Sequence, residues 1–228
     1  MTEKITSLQH PLVKHFVKLR KNASYREEHN SVLIIGNTLV KELSKHRKPK
    51  ELFTLDRVTS TILKKVTSLP SPEEMVAEFE MPAPQKLETL SKLIIIDRIA
   101  DPGNLGTILR TALALGWEGV FFLPGCVDPF NDKVIRSSRG ALFTLPYYHG
   151  TQDELASMSI SYTTLIADTF GTPLADIKKR KKTMLVLSNE THGACPTMDR
   201  LGDKVTIPIA KMESLNVASA ASILMYAL

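Results

Sequence analysis

Five short runs of almost uninterrupted apolar residues in the second part of the chain limit its fold more than any other feature. They are Leu93-Ile-Ile-Ile-Asp97, Val120-Phe-Phe-Leu123, Thr163-Thr-Leu-Ile-Ala167, Met184-Leu-Val-Leu187 and Val205-Thr-Ile-Pro-Ile209. Each is of strand length, and a strand with one wet face would alternate apolar and polar residues, which these do not. Helical stretches separate most of them. Continuous apolar strands alternating with helices predict an α/β fold, a mostly parallel sheet covered on both faces. Ligands bind such sheets at the carboxyl ends of the strands, so the polar loops after Ile96, Leu187 and Ile209 are expected to converge on one pocket.

The first part of the chain reads differently. Leu8, Leu12, Phe16 and Leu19 recur at helical spacing, with Lys14, Lys18, Arg20 and Lys21 on or near the other face, predicting a basic amphipathic helix over 8–19. Short strands are expected at Val32-Leu-Ile-Ile35 and Leu52-Phe-Thr-Leu55, with helices over 37–45 and near 60–66. Prolines 70, 72, 82 and 84 then punctuate the chain, and Met81-Pro-Ala-Pro-Gln-Lys86 reads as an extended linker. The expected organisation is a small α/β module over 1–80, a linker over 81–86 and a second domain over 87–228.

Charge divides along the same line. Residues 1–86 hold 15 Lys and Arg against 10 Asp and Glu, while residues 87–228 hold 14 of each, so the whole excess of +5 sits in the first part. A basic module joined to a neutral one fits a polyanion partner, although a surplus of solvated lysines is also common on inert surfaces. No run of about 18 apolar residues occurs, and Met1-Thr-Glu-Lys lacks the regions of a signal peptide; a soluble cytoplasmic protein without a membrane partner is expected. The two cysteines, Cys126 and Cys195, are too few for a disulfide framework and have no metal-ligand spacing, so no metal is expected.

Each of the polar loops has a plain reading and a functional one. In Asp101-Pro-Gly-Asn-Leu-Gly-Thr-Ile-Leu-Arg110, Asn104 reads as a helix N-cap and Arg110 as a surface charge; alternatively, Arg110, one turn beyond Gly106, grips a phosphate or carboxylate. Leu187-Ser-Asn-Glu-Thr-His-Gly193 is an ordinary turn of solvated side chains, or a ligand loop carrying Glu190 and His192. In Ile207-Pro-Ile-Ala-Lys-Met-Glu-Ser-Leu-Asn216, Ser214 is a credible cap for the apolar helix that follows, and Asn216 can serve backbone or ligand atoms. Neither a Gly-x-Gly-x-x-Gly fingerprint nor a Walker loop is present, which argues against NAD and ATP.

Taken together, the three segments resemble, in order and spacing, the three motifs of the SpoU (TrmH-like) RNA ribose methyltransferases. Asn104-x-Gly106-x-x-x-Arg110, with its Asp-Pro-Gly lead-in, matches the first motif, and Ser214-Leu-Asn216 the third. Ser137-Ser-Arg-Gly-Ala-Leu-Phe143 with Pro146 is similar to the intervening helix and strand. Ile5-Thr-Ser-Leu-Gln-His-Pro-Leu-Val-Lys14 and Tyr25-Arg-Glu-Glu28 resemble the N-terminal substrate-binding module of many members. The chain departs from the pattern where Ser188 replaces a glycine, where Ala210-Lys211 stands in a shortened third motif, and where Ile35-Gly36 replaces Glu-Gly.

The resemblance implies a SPOUT domain with a C-terminal trefoil knot, preceded by an L30e-like RNA-binding domain. It implies S-adenosylmethionine-dependent methylation of a ribose 2′-hydroxyl by a homodimer, with ribosomal RNA favoured as substrate and transfer RNA a second possibility. Arg110, Asn104, Glu190, Ser214 and Asn216 become the catalytic set. The cofactor set is Leu187, Ser188, Asn189, Gly193, Ile207, Ile209, Leu215, Asn216 and Ala218. For RNA, Lys14, Lys18, Arg20, Lys21 and Arg26 are expected on the first module, with Arg136 and Arg139 nearer the catalytic pocket. Two rival readings stay open: an RNA-binding scaffold that keeps this fold without turnover, and a related knotted enzyme that methylates a base.

Overall fold

The computed structural model describes residues 4–71, 74–178, 180–189 and 198–228, which form two compact units. The first comprises Met1–Pro82 together with Phe130–Arg139, and the second Ala83–Pro129 with Gly140–Leu228.

In the first unit, helix α1 (Pro11–Lys21) starts where the His10 ring nitrogen accepts the Leu12 N–H at 3.2 Å and Pro11 takes a position whose missing N–H costs nothing. The helix therefore begins after Leu8, which is 39% exposed rather than part of the buried stripe. Val13, Phe16 and Leu19 supply that stripe. Asn22 ends α1 and caps α2 (Ala23–His29), accepting the Tyr25 N–H at 3.1 Å. Strands β1 (Ser31–Ile35), β2 (Glu51–Phe53) and β3 (Val76–Glu80) form an antiparallel sheet in the order β1-β3-β2, with α3 (Asn37–Ser44) and α4 (Ser60–Thr67) between them. The central strand β3 was not among the expected elements; its charged Glu78 and Glu80 disguise a run in which Val76, Ala77 and Phe79 are fully buried.

The second unit is built on β4 (Lys92–Asp97), β5 (Gly119–Phe122), β6 (Tyr147–His149), β7 (Thr163–Pro173), β8 (Thr183–Ser188) and β9 (Asp203–Thr206). They lie in the order β6-β5-β4-β8-β7-β9, and every pairing is parallel. The α/β class and the parallel sheet are as the apolar runs require. Helix α5 (Pro102–Ala114) follows β4, α6 (Asp132–Ser138) follows β5, α7 (Gln152–Ser159) precedes β7, and α8 (Val217–Ala227) follows β9. Helix α6 belongs to the first unit, where Val134, Ile135 and Ser138 are buried and the helix packs on β1, so the division of the chain is not the single cut expected near residue 86.

Two boundaries differ for physical reasons. β9 stops at Thr206 and leaves Ile207 and Ile209 in a loop, because Pro208 has no N–H to continue the ladder. β7 runs on to Pro173 past a register shift between Ala167 and Thr172, so its far end is solvated and Phe170 is 79% exposed. β9 comes so close to β7 that a Cβ on Gly202 would lie 2.0 Å from the Thr164 carbonyl oxygen, a separation only glycine allows. α8 is fixed by burial of Ala221, Leu224 and Met225 and by the Trp117 indole N–H, which donates to the Met225 carbonyl at 3.1 Å. Among the described residues no helix is long and apolar enough to cross a membrane.

Candidate active site at the carboxyl ends of the strands

The loops at the carboxyl ends of β4 and β8 are bonded to each other. Asn189 donates its backbone N–H to the Asp97 carbonyl at 3.1 Å and its side-chain amide to the Arg98 carbonyl at 3.2 Å. Arg98 sits at φ 53°, in the left-handed region, and its guanidinium forks onto the Asp97 carboxylate at 2.9 and 3.0 Å. Such a conformation costs a non-glycine residue of order 1 kcal/mol. The two-bonded ion pair with the buried Asp97 offsets it. Nearby, the Cys126 thiol donates to the Ile96 carbonyl at 3.3 Å, and burial pushes its pKa up.

A second bond joins the first and third motifs. Asp101, not Asn104, caps α5, accepting the Asn104 N–H at 2.7 Å. The Asn104 side chain is thereby left for another task, and its oxygen accepts the Asn216 amide N–H at 3.0 Å. Asn216, rather than Ser214, caps α8, its own oxygen taking the Ala218 and Ser219 N–H groups at 3.0 and 3.3 Å. One asparagine thus starts the last helix and ties it to the first turn of α5, residues 112 positions apart.

An open cleft with about 170 Å³ of internal space lies among the ends of β7, β8 and β9 and the head of α8, and no residue of the loop after β4 is among its lining. Leu187, Ser188, Asn189, Ile207, Ile209 and Leu215 all line it, as does Ser214. Asn216 and Ala218 stand at the head of α8 beside the lining residues. Glu190 and Gly193 lie outside the described residues, as do His192 and Cys195. The Ser188 hydroxyl is buried with no hydrogen-bond partner among the described residues, a state that costs free energy until a partner is supplied. Arg110 is exposed, six residues along α5 from Asn104, which is about 9 Å of helix.

Sequence reading missed the β7 wall of this cleft, Ala167, Asp168 and Thr169, together with Ala220 and Leu224 of α8. The signal is present: Thr163–Ala167 reads as a strand, and Asp168 is the first residue past its expected end. Burial would raise the Asp168 pKa, but the Phe170 N–H and the Lys204 ammonium, 3.0 Å away, outweigh it and hold the carboxyl below the usual range.

On the first unit, Lys14, Lys18 and Lys21 are exposed along α1, with Lys18 over the Tyr25 ring at 5.2 Å. Arg20 is half-buried. Arg26 is not on this surface. It is 3% exposed and donates to the Leu19 and Arg20 carbonyls, satisfying the end of α1. Arg136 is paired with Asp132 at 2.6 Å, and Arg139 is an exposed C-cap at φ 52°; both go with the first unit.

A parallel α/β sheet with a cleft at its carboxyl edge, lined by the second and third motif loops and by the last helix, has the place and form of a ligand site in such folds. The SpoU rRNA Methylase family pattern matches residues 91–226, and the chain belongs to that family. It is 32% identical to the 23S rRNA (guanosine(2553)-2′-O)-methyltransferase RlmP of Bacillus subtilis over 98% of both chains. Among solved structures it is similar to an AdoMet-bound rRNA methyltransferase from Sinorhizobium meliloti, with a TM-score of 0.89 and 26% identity over 99% of this chain and 96% of that one. A TrmH-family protein from Porphyromonas gingivalis gives 0.84 and 28% over 97% and 98%.

Proposed function

We propose that this protein methylates a ribose 2′-hydroxyl of ribosomal RNA, with S-adenosylmethionine as methyl donor. The observation that carries the reading is the convergence of Ser188, Asn189, Ile207, Ser214 and Leu215 on one cleft, closed by the Asn104–Asn216 bond, in a chain aligned end to end with a 23S rRNA 2′-O-methyltransferase.

The residues fit the cofactor. Leu187, Val205, Ile207 and Leu215 offer apolar surface for an adenine and an aliphatic chain, and the unpartnered Ser188 hydroxyl and the Asp168 carboxylate offer partners for its polar groups. Bound there, S-adenosylmethionine supplies an electrophilic methyl group. The protein's own task is to hold the RNA hydroxyl in line and favour its charge as it becomes an alkoxide, which orientation and fixed dipoles do best. Arg110 is a poor base, since a guanidinium keeps its proton far above neutral pH. Its role is to grip a neighbouring phosphate and stabilise the developing oxyanion. Asn104, oriented by Asn216, Ser214 and Glu190 position the ribose.

The chain works as a homodimer with a trefoil-knotted catalytic domain. α5 and α8 pack together and leave Leu113, Ile223 and Tyr226 exposed at 37%, 43% and 79%, an apolar face three residues from Arg110 that a second copy covers. The first unit, an L30e-like module, holds RNA through Lys14, Lys18 and Lys21.

The test is incubation of the full chain with methyl-labelled S-adenosylmethionine and unmethylated ribosomal RNA, followed by nuclease digestion and mass spectrometry. Label on the sugar is expected. Label on a base would overturn the ribose assignment, and failure to bind S-adenosylmethionine in calorimetry would favour a scaffold.

A further inference from the structure

The most concentrated charge in the protein lies outside the site described above. Residues 178–182 read Lys-Lys-Arg-Lys-Lys, five of the 14 cations in residues 87–228 within one short connection. Without them that part of the chain is acidic, so the formal neutrality of the catalytic part hides two oppositely charged regions.

The fold gives this run a definite place. It immediately precedes Thr183, the first residue of β8. The Lys182 carbonyl accepts the Thr163 N–H at 2.9 Å at the start of β7, and the Thr183 N–H donates to the Ser91 carbonyl at 2.8 Å beside the start of β4. The described residues of the run, Lys178 and Arg180–Lys182, therefore lie toward the amino ends of three central strands, whereas the cleft sits at their carboxyl ends. β8 has six residues, which puts about 17 Å of strand between the two.

Its side chains are presented rather than spent. Lys178, Arg180 and Lys181 are exposed, and none makes an ion pair among the described residues. Lys182 serves as the base of the patch: its ammonium lies 5.1 Å from the Tyr162 ring centre, and the Tyr162 hydroxyl donates to the Leu90 carbonyl at 2.6 Å. Of the acids at the same edge, Glu118 is engaged by the Ser91 N–H at 2.6 Å, Glu88 lies near enough to add, with Glu118, to the rise that burial gives the Tyr162 pKa, and Asp176 is exposed two residues before Lys178. Ile160 projects next to this edge at 86% exposure. Holding three unneutralised cations together costs Coulomb energy in the free protein, and a polyanion removes that cost.

We infer that Lys178, Arg180 and Lys181 form a second RNA-phosphate contact surface, at the amino-terminal edge of the catalytic sheet. It rests on the reading of the protein as an RNA methyltransferase. The partner is a stretch of RNA backbone continuing beyond the nucleotide held in the cleft. The contact is to phosphates, so it adds affinity and fixes orientation without reading sequence.

The experiment uses the full chain with Lys178→Gln, Arg180→Gln and Lys181→Gln combined, and measures affinity for a ribosomal RNA fragment as a function of salt, with S-adenosylmethionine affinity and Tm as controls. Losing three phosphate contacts makes the slope of log K against log salt shallower by about 2 and weakens binding roughly tenfold near physiological salt. Cofactor affinity and Tm are expected to stay as in the wild type, because the three side chains are exposed and 17 Å or so from the cleft. If the wild type binds RNA and the triple variant keeps its slope, the inference is wrong while the proposed function stands. If the wild type binds no RNA at all, the proposed function fails and this inference with it.

Discussion

Beside the cleft, at the carboxyl ends of the strands, Asp97 and Asp168 are held in ion pairs, whereas at the amino ends a cluster of cations has none among the described residues. Around the cleft, Arg98 is forked onto Asp97, and Lys204 reaches Asp168 and Asp199 at 3.0 and 3.3 Å. At the opposite edge Lys178, Arg180 and Lys181 stand exposed without an ion pair among the described residues. A site that must orient a small zwitterionic cofactor needs charges that do not move, so the protein compensates them internally. A surface meant for a polyanion gains by leaving compensation to the partner. The difference separates what each end contributes: geometry at one, attraction at the other.

Arg110 provides the largest expected effect that can break this division. Although exposed and unpaired among the described residues, it belongs with the cleft end by its place on α5. If it stabilises a developing alkoxide, Arg110→Ala lowers single-turnover methylation on the order of a hundredfold or more, with S-adenosylmethionine affinity unchanged. A loss confined to RNA affinity, with turnover intact at saturating RNA, would move Arg110 to the attraction class.

The Asn104–Asn216 bond gives a smaller and more discriminating effect. Asn216→Asp keeps an oxygen for the Ala218 and Ser219 N–H groups, so the α8 cap survives, but it replaces the donor that faces Asn104 with an acceptor. Stability is expected to fall by about 1 kcal/mol and turnover by more than that figure alone would give, because Asn104 loses its orientation. A second variant, Asn104→Asp with Asn216 left as it is, separates the two roles: the bond to Asn216 persists there and only the Asn104 amide donor is lost, so stability should hold while turnover falls.

Ser188→Ala is the third test, and its two effects have opposite signs. Removing an unsatisfied buried hydroxyl leaves the free protein as stable as the wild type or slightly more so. If the hydroxyl is there for the cofactor, S-adenosylmethionine binds about five- to tenfold more weakly by calorimetry. Unchanged affinity would mean that the serine merely tolerates burial.

These residues also show how far sequence alone reaches. The parallel sheet was legible because both its faces are covered and its strands carry no alternation; Leu93 to Ile96 are all at 0% exposure. The meeting of the second and third motif loops in one cleft followed from the rule that places ligands at strand carboxyl ends. The capping roles were misassigned, since Asp101 and Asn216 do what Asn104 and Ser214 were expected to do, and a cap is decided by backbone dihedrals that neighbouring candidates Asp, Asn and Ser fit equally well. Arg26 was misread because a buried arginine that caps a neighbouring helix has no periodic signature. The amino-edge cations were overlooked for a simpler reason: averaging charge over residues 87–228 cancels them.

The smallest expected effect concerns the matched charges themselves. Asp168 has a folded pKa below its ordinary value, so it contributes stability that is present above pH about 4 and is lost as pH falls through the lowered folded pKa. The pair with Lys204 is partly solvated, and its worth is therefore on the order of 0.5 kcal/mol. Asp168→Asn should be slightly less stable than the wild type at neutral pH and should converge on it in acid, as followed by urea unfolding between pH 7 and pH 3. The amino-edge triple variant should show no such convergence, because its cations have no acid to lose. Parallel acid limbs for Asp168→Asn and the wild type would mean that charge at the cleft end is no better compensated than at the other, and the contrast between the two ends would then rest on Arg98 and Asp97 alone.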